Sequence, residues 1–191
     1  MTWFSYLNDE DLAYVHEASL EILKETGLLV RNEKARNRFA EHGASVDHQT
    51  EIVRIPAHVV ETYRAMVPPT ITLRGRNPDY DVTFPRELPV IATASSAPDI
   101  VDPVTGITRR ATSDDIARIA HLVNGLPGFD LFSISTLADD APKDQFSLSR
   151  FYPALKNCEK PVRTSVYDIR EAEQVLKLGE LIAGSKEACW E

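Results

Sequence analysis

Residues 112–136 read TSDDIARIAHLVNGLPGFDLFSIST. Thr112 followed three residues later by Asp115 has capping-box-like spacing, which predicts a helix start. Ile116, Ile119, Ala120 and Val123 then recur at helical spacing and form one apolar stripe, and Gly125 and Pro127 end the helix. The mostly apolar run Phe129 to Ile134 predicts a strand. Downstream the alternation continues. Lys143 to Lys156 is helical in pattern despite Pro153, Pro161 to Tyr167 is a strand, and Ile169 to Ala183 is a helix with Ala172, Val175, Leu176 and Ile182 inward. Helix, strand, helix, strand, helix with short connections predicts an α/β class, a parallel sheet covered by helices. Two such units are too few to close an eight-stranded barrel.

Upstream the period changes to two. Ile71 and Leu73 alternate with Thr72 and Arg74, Gly75-Arg76-Asn77-Pro78 turns the chain, and Tyr80 to Phe84 alternates again, which predicts a β-hairpin. Leu88 to Thr93 reads as a further strand. Asp99 to Asp102 leads into a tight turn at Pro103-Val104-Thr105-Gly106.

The first 68 residues read as a small helical region. Asn8 is a good N-cap, Asp9, Glu10 and Asp11 suit the positive end of the helix dipole, and Leu7 and Leu12 are spaced for a hydrophobic staple. Leu12, Val15, Ile22 and Leu23 form a stripe expected to pack on the rest of this region, and Gly27 is expected to close the helix in the left-handed conformation. A short strand or a packed turn at Leu28–Val30, a helix at Glu33–Glu41 capped by Asn32, and extended segments at Ala44–Asp47 and Ile52–Ile55 follow. A third helix is expected from Pro56 to about Met66. The expected division is therefore 1–68, a helical region, and 69–191, a β-rich entry followed by the opening β/α units.

The 191 residues carry a net charge of −8 with no basic stripe, which argues against a nucleic-acid partner. The N-terminus has no basic n-region and no window approaches a membrane span, so a cytoplasmic protein without a membrane partner is expected. Cys158 and Cys189 form no CxxC, which fits a reducing compartment.

The common motifs of nucleotide, zinc-protease and hydrolase chemistry are missing. The histidines at 16, 42, 48, 58 and 121 lack paired ligand spacing, so no metal site is expected. Asp114-Asp115 reads more simply as helix-start charge, Asp139-Asp140 as a solvated loop, and Cys158 as an inert thiol. No residue stands out as catalytic. In a β/α barrel the chemistry lies at the carboxyl ends of the strands. Here those ends carry Thr93, Ser95 and Ser96, then Ser135 and Thr136, then Thr164 and Tyr167, which could line a pocket for a small polar ligand. Serine and threonine also serve simply to turn a chain.

LNDEDLAYVHEASLEILKETGLLV (7–30), EHGASVD (41–47), IVRIPAHVVE (52–61) and ITLRGRNP (71–78), in this order and spacing, resemble the N-terminal part of the trimethylamine methyltransferase family. VDPVTGITRRATSDDIARIAHLVNGLP (101–127) and ALKNCEKPV (154–162) continue the likeness, which covers nearly the whole chain. The resemblance implies a cytoplasmic methyltransferase with a TIM-barrel fold, working in one-carbon metabolism and methanogenesis. It implies transfer of a methyl group from trimethylamine, glycine betaine or a similar methylated amine to the cobalt of a cognate corrinoid protein. The corrinoid (cobalamin) is carried by that partner and not bound directly, and a homo-oligomer is possible. Family proteins are much longer, and the pyrrolysine of some members lies beyond residue 191. The chain is thus expected to be an N-terminal part with an incomplete barrel, inactive alone; the alternative is a catalytically inactive truncated homologue that acts as a binding or interaction module or is a non-functional fragment. Where the family is glycine-rich, this chain has Ala94-Ser95-Ser96-Ala97, which points to an altered substrate preference or to a divergent member. A cationic amine is best held by aromatic faces and carboxylates, for which Tyr167, Phe132 and Asp99 are the candidates.

Overall fold

A computed structural model describes residues 6–94 and 97–190. The fold is mixed α/β, and the chain divides into two compact units, Met1–Pro69 and Thr70–Glu191.

In the first unit, helix α1 (Asp9–Glu21) starts on a full capping box between Asn8 and Asp11. The helix then widens into a π-helical turn, Ile22–Thr26, which Gly27 closes by donating its N–H to the Ile22 carbonyl at 2.9 Å. Gly27 has φ 77° but ψ −166°, so it takes an extended positive-φ conformation and not the left-handed helical cap expected. Its reason for being glycine is twofold: that φ, and a backbone approach in which a Cβ would stand 2.5 Å from the Val53 carbonyl oxygen. Strand β1 (Leu28–Leu29), helix α2 (Glu33–Glu41, capped by Asn32), the hairpin of β2 (Ser45–Asp47) and β3 (Ile52–Arg54), and helix α3 (Ala57–Ala65) follow. The strands form an antiparallel sheet in the order β1-β3-β2, with Leu28 opposite Val53 and Val46 opposite Val53 on its other side. Pro56 is the N-cap of α3, one residue before the helix.

The stripe of α1 does not pack as expected. Leu12, Val15 and Ile22 are exposed, and the half-buried positions are His16, Ala18, Leu20 and Leu23. His16, Leu20 and Leu23 share one face by their spacing, and His16 Nε2 meets Glu61 Oε1 of α3 at 2.6 Å. The helix is thus seated through a polar anchor, and its most apolar side faces outward. Val15, 54% exposed, is therefore expected to tolerate aspartate. Val15→Asp should change unfolding stability by no more than about 0.5 kcal/mol in urea melts, as surface substitutions do. A loss above about 2 kcal/mol would show that this face is covered in solution.

The second unit opens with two antiparallel hairpins. Strands β4 (Ile71–Leu73) and β5 (Val82–Phe84) pair as expected, with the Thr72 and Thr83 hydroxyls 2.9 Å apart across them. Strands β6 (Asp99–Val101) and β7 (Thr108–Arg110) form the second, around a turn in which Asp102 accepts from the Val104 and Thr105 N–H groups. The expected strand Leu88–Thr93 is reduced to one parallel bridge, Ala92 to Leu131. Side chains explain the loss. Arg86 donates to the Leu88 and Pro89 carbonyls, and Asp130 accepts from the Ile91 N–H at 2.8 Å. Backbone groups engaged by side chains do not extend a ladder.

The β/α alternation follows. Helix α4 (Ser113–Gly125) leads to β8 (Phe132–Ser133), α5 (Phe146–Asn157) to β9 (Val162–Arg163), and α6 (Ile169–Ala183) to a short α7 (Lys186–Trp190). Strands β8 and β9 are parallel, with Phe132 opposite Val162 and Ser133 opposite Arg163. They are shorter than the apolar runs that predict them, although Phe132 N–H to Pro161 O and Ile134 N–H to Arg163 O extend the slanted ladder. Helices α4 and α5 cover this sheet around a core of Ile116, Ala120, Val123, Phe132, Phe151 and Ala154. Lys160 locks the end of α4: its buried Nζ donates to the Val123, Leu126 and Phe129 carbonyls at 3.0, 2.6 and 2.8 Å. A cation there complements the negative end of the helix dipole. Among the described residues there is no closed barrel, and no helix is long and apolar enough to cross a membrane.

Candidate functional site

The carboxyl ends of the parallel strands are built from hydroxyl side chains that mostly bond the backbone beside them. Thr93 Oγ1 donates to the Ser133 carbonyl at 2.5 Å, and Ser135 Oγ approaches the same carbonyl at 3.3 Å. The neighbouring segment continues the pairing through Ala97 N–H to Ser135 O and Leu137 N–H to Ala97 O. Thr136 is 4% exposed and its Oγ1 has no hydrogen-bond partner. Ser95 and Ser96 lie outside the described residues. Thr93, Ser135 and Thr136 are therefore brought together at one rim, with Thr164 one residue beyond the end of β9.

At Thr164 the rim meets a residue that the sequence reading passed over. Arg150 of α5 is 1% exposed; its Nη1 donates to Thr164 Oγ1 at 3.2 Å and its Nη2 to the Ser165 carbonyl at 2.8 Å. Its Nε is buried without a hydrogen-bond partner, and among the described residues no carboxylate lies within ion-pair distance of it. Its guanidinium carbon sits 4.4 Å from the Phe146 ring centre and 5.5 Å from that of Tyr167. Burial pushes the pKa of this guanidinium down, against the opposing effects of Tyr167 and Glu171. One helical turn away in the same cluster, buried Ser147 donates to the buried carboxylate of Glu171, which joins the N-terminal turns of α5 and α6. Arg150 could have been found from a single signal. Ser147, Arg150, Phe151, Ala154 and Cys158 follow helical spacing along the core side of α5, and a charged residue at a core position of an amphipathic helix needs a reason.

The three candidates for holding a cation do not converge. Phe132 is fully buried in the core, Asp99 is engaged by Arg110 at 3.3 Å, and Tyr167, 64% exposed, already flanks the chain's own guanidinium. The Asp139-Asp140 pair is no free loop. Asp139 pairs with Arg110 at 2.9 Å, and Asp140 accepts from both the N–H and the hydroxyl of Ser113 at the start of α4. Asp115 is held by two bonds from Arg109, at 2.6 and 2.8 Å, and by the N–H and hydroxyl of Thr112. Arg109 and the Thr112 donors hold its carboxyl well below the usual carboxylate range despite burial. Cys158 is fully buried, and burial pushes its thiol up, away from reactivity. Among the described residues no cluster of His, Cys, Asp or Glu could hold a metal ion.

Further cavities lie elsewhere among the described residues. The first unit has a half-open pocket of about 490 Å³ among Leu23, Phe39, His42, Val59 and Tyr63, with the Tyr63 hydroxyl 2.5 Å from His42 Nδ1. The second unit has a groove of about 410 Å³ among Arg74, Arg76, Lys160, Val162 and Cys189. Neither contains a rim hydroxyl. Among the described residues, the strand-end rim thus offers hydrogen-bond donors and one buried positive charge, without an acid, base or nucleophile poised for covalent chemistry.

Residues 1–190 match the sequence model of the family Trimethylamine methyltransferase (MTTB). The chain is 31% identical over 184 residues to Trimethylamine methyltransferase MttB of Desulfitobacterium hafniense (strain DSM 10664 / DCB-2), covering 94% of this chain and 36% of that protein. It is 26% identical over 186 residues to Glycine betaine methyltransferase of Desulfitobacterium hafniense (strain Y51), covering 96% of this chain and 38% of that protein. Trimethylamine methyltransferase MttB of Methanosarcina thermophila is 30% identical over 135 residues, 69% of this chain and 28% of that protein. The chain spans little more than a third of the length of the first two relatives.

Proposed function

The chain belongs to the trimethylamine methyltransferase family, and from that premise we propose that it forms the N-terminal part of an enzyme that moves a methyl group from a methylated amine to the cobalt of a corrinoid protein. The observation that carries this reading is the family match across residues 1–190, over relatives named for trimethylamine and for glycine betaine. The parallel β8/β9 pair with α5 and α6 following its strands supports placing these residues in the opening units of a (β/α)8 barrel, whose strand ends would face the donor. The corrinoid is the methyl acceptor, presented by a separate cytoplasmic protein docking at that mouth.

Among the described residues the rim supplies hydrogen bonds and charge but no proton-transfer group, so the 191 residues alone are expected to leave a reduced corrinoid protein unmethylated. The polypeptide encoded by the whole reading frame that contains these residues is expected to methylate it from trimethylamine or glycine betaine, read from the cobalt absorption spectrum. Failure of that polypeptide with both donors would overturn the reading, and transfer by the 191 residues alone would overturn their assignment as an incomplete site.

A further inference from the structure

We propose that the groove between the β4–β5 turn and the α6–α7 segment binds a small organic anion, a phosphate or carboxylate that carries an apolar group. The groove is separate from the strand-end rim. Lys160 and Val162 stand at the amino end of β9, and Thr164 lies beyond its other end.

The groove has a volume of about 410 Å³, a size that holds a small ligand. Arg74, Arg76 and Lys160 line it, and among its described lining residues there is no carboxylate. Such a cluster runs against the balance of a chain with 29 acidic and 21 basic residues. Backbone contacts fix Arg76 in place. Its Nε donates to the Cys158 carbonyl at 3.3 Å, and the next residue, Asn77, donates its N–H to the Glu159 carbonyl at 3.3 Å. Gly75 permits this approach, because a Cβ there would stand 2.7 Å from the Glu159 carbonyl oxygen. The turn is therefore clamped on the segment that carries Lys160. Among the described residues no carboxylate lies within ion-pair distance of Arg76 or Lys160. Lys160 donates to three carbonyls and so contributes charge rather than bonds to a ligand. Arg74 is partly neutralised by Asp81, at 2.6 Å. Arg76 is thus the anchor, with its Nη groups left to the ligand, and an oxyanion fits such paired N–H donors. Beside these charges Leu155, Val162 and Ile182 form an apolar wall, which favours an anion with an apolar group over a bare one.

The test titrates the 191-residue chain with phenyl phosphate, benzoate and inorganic phosphate by calorimetry, at a constant ionic strength of about 0.15 M so that screening does not vary. Phenyl phosphate and benzoate distinguish the two head groups. At least one of them should bind saturably and about tenfold more tightly than inorganic phosphate. Arg76→Gln keeps a donor for the Cys158 carbonyl, and should weaken that binding about tenfold or more. Arg118→Gln, which removes an exposed cation of α4, should leave it unchanged. Circular dichroism checks the folding of both variants. In the unaltered chain, nitrogen-15 NMR should show the Gly75, Arg76 and Gly179 amides shifting and those of Thr136 and Thr164 unmoved. Absence of saturable binding below about 10 mM overturns the proposal. So does binding that survives Arg76→Gln, inorganic phosphate binding as tightly as both organic anions, or shifts centred on Thr164.

Discussion

Phe132→Ala is expected to destabilise the Thr70–Glu191 unit by about 4 kcal/mol, the usual loss for a fully buried phenylalanine. The ring is 0% exposed and lies where the parallel sheet meets α4 and α5, among Ile116, Ala120, Phe151 and Ala154. Its backbone is pinned by the bond from its N–H to the Pro161 carbonyl, which limits how far the strand can relax into the cavity left behind. With total stabilities of about 5–15 kcal/mol, such a loss would bring this unit close to its unfolding midpoint. Urea unfolding followed by circular dichroism measures it. Hydrogen exchange should show the faster opening confined to amides after Thr70, because the core cluster that holds the ring, from Ile116 to Cys158, belongs to that unit. A loss below about 1 kcal/mol would mean that the β8–α4–α5 core is not closely packed.

Asp115→Ala should cost about 3 kcal/mol and remove part of the acid sensitivity of the same unit. Asp115 is 4% exposed, serves as the reciprocal partner of Thr112 in the α4 capping box, and accepts two bonds from Arg109. The substitution therefore loses a helix cap and a paired, buried charge together. The sign of the pH effect follows from the direction of the shift. The folded carboxyl is held below its ordinary value, so its stabilisation is full above the unfolded value of about 4 and is lost as pH falls through the depressed folded value. Urea midpoints measured from about pH 6 down to about pH 2 should fall less steeply in Asp115→Ala than in the parent. Equal slopes in the two proteins would show that Asp115 titrates like an unfolded carboxyl.

Local signals in the sequence were sufficient wherever the determining physics acts over a few residues. The caps at Asn8, Asn32 and Thr112, the helix Ile169–Ala183, the β4–β5 hairpin and the parallel sense of β8 and β9 all follow from spacing and turn chemistry. Family membership was legible for a similar reason, since the ordered motifs run the length of the chain. Of the strand-end hydroxyls, position along the chain identified the rim, and Thr93, Ser135, Thr136 and Thr164 do lie along it.

What depended on partners distant in sequence was not legible. The Leu88–Thr93 segment loses its strand character because Asp130, some 40 residues on, accepts from the Ile91 N–H. The outward face of α1 is apolar because Glu61 anchors the opposite side through His16, a choice that no periodicity within the helix encodes. Phe132 looked like an aromatic face for a cation, and only the packing of α4 and α5 over it makes it core. The sequence by itself determined the elements, their order and the family. Tertiary structure alone decided that Arg150 comes to the carboxyl end of β9, because bringing Thr164 and Ser165 to its guanidinium requires α5 to be laid back across the sheet.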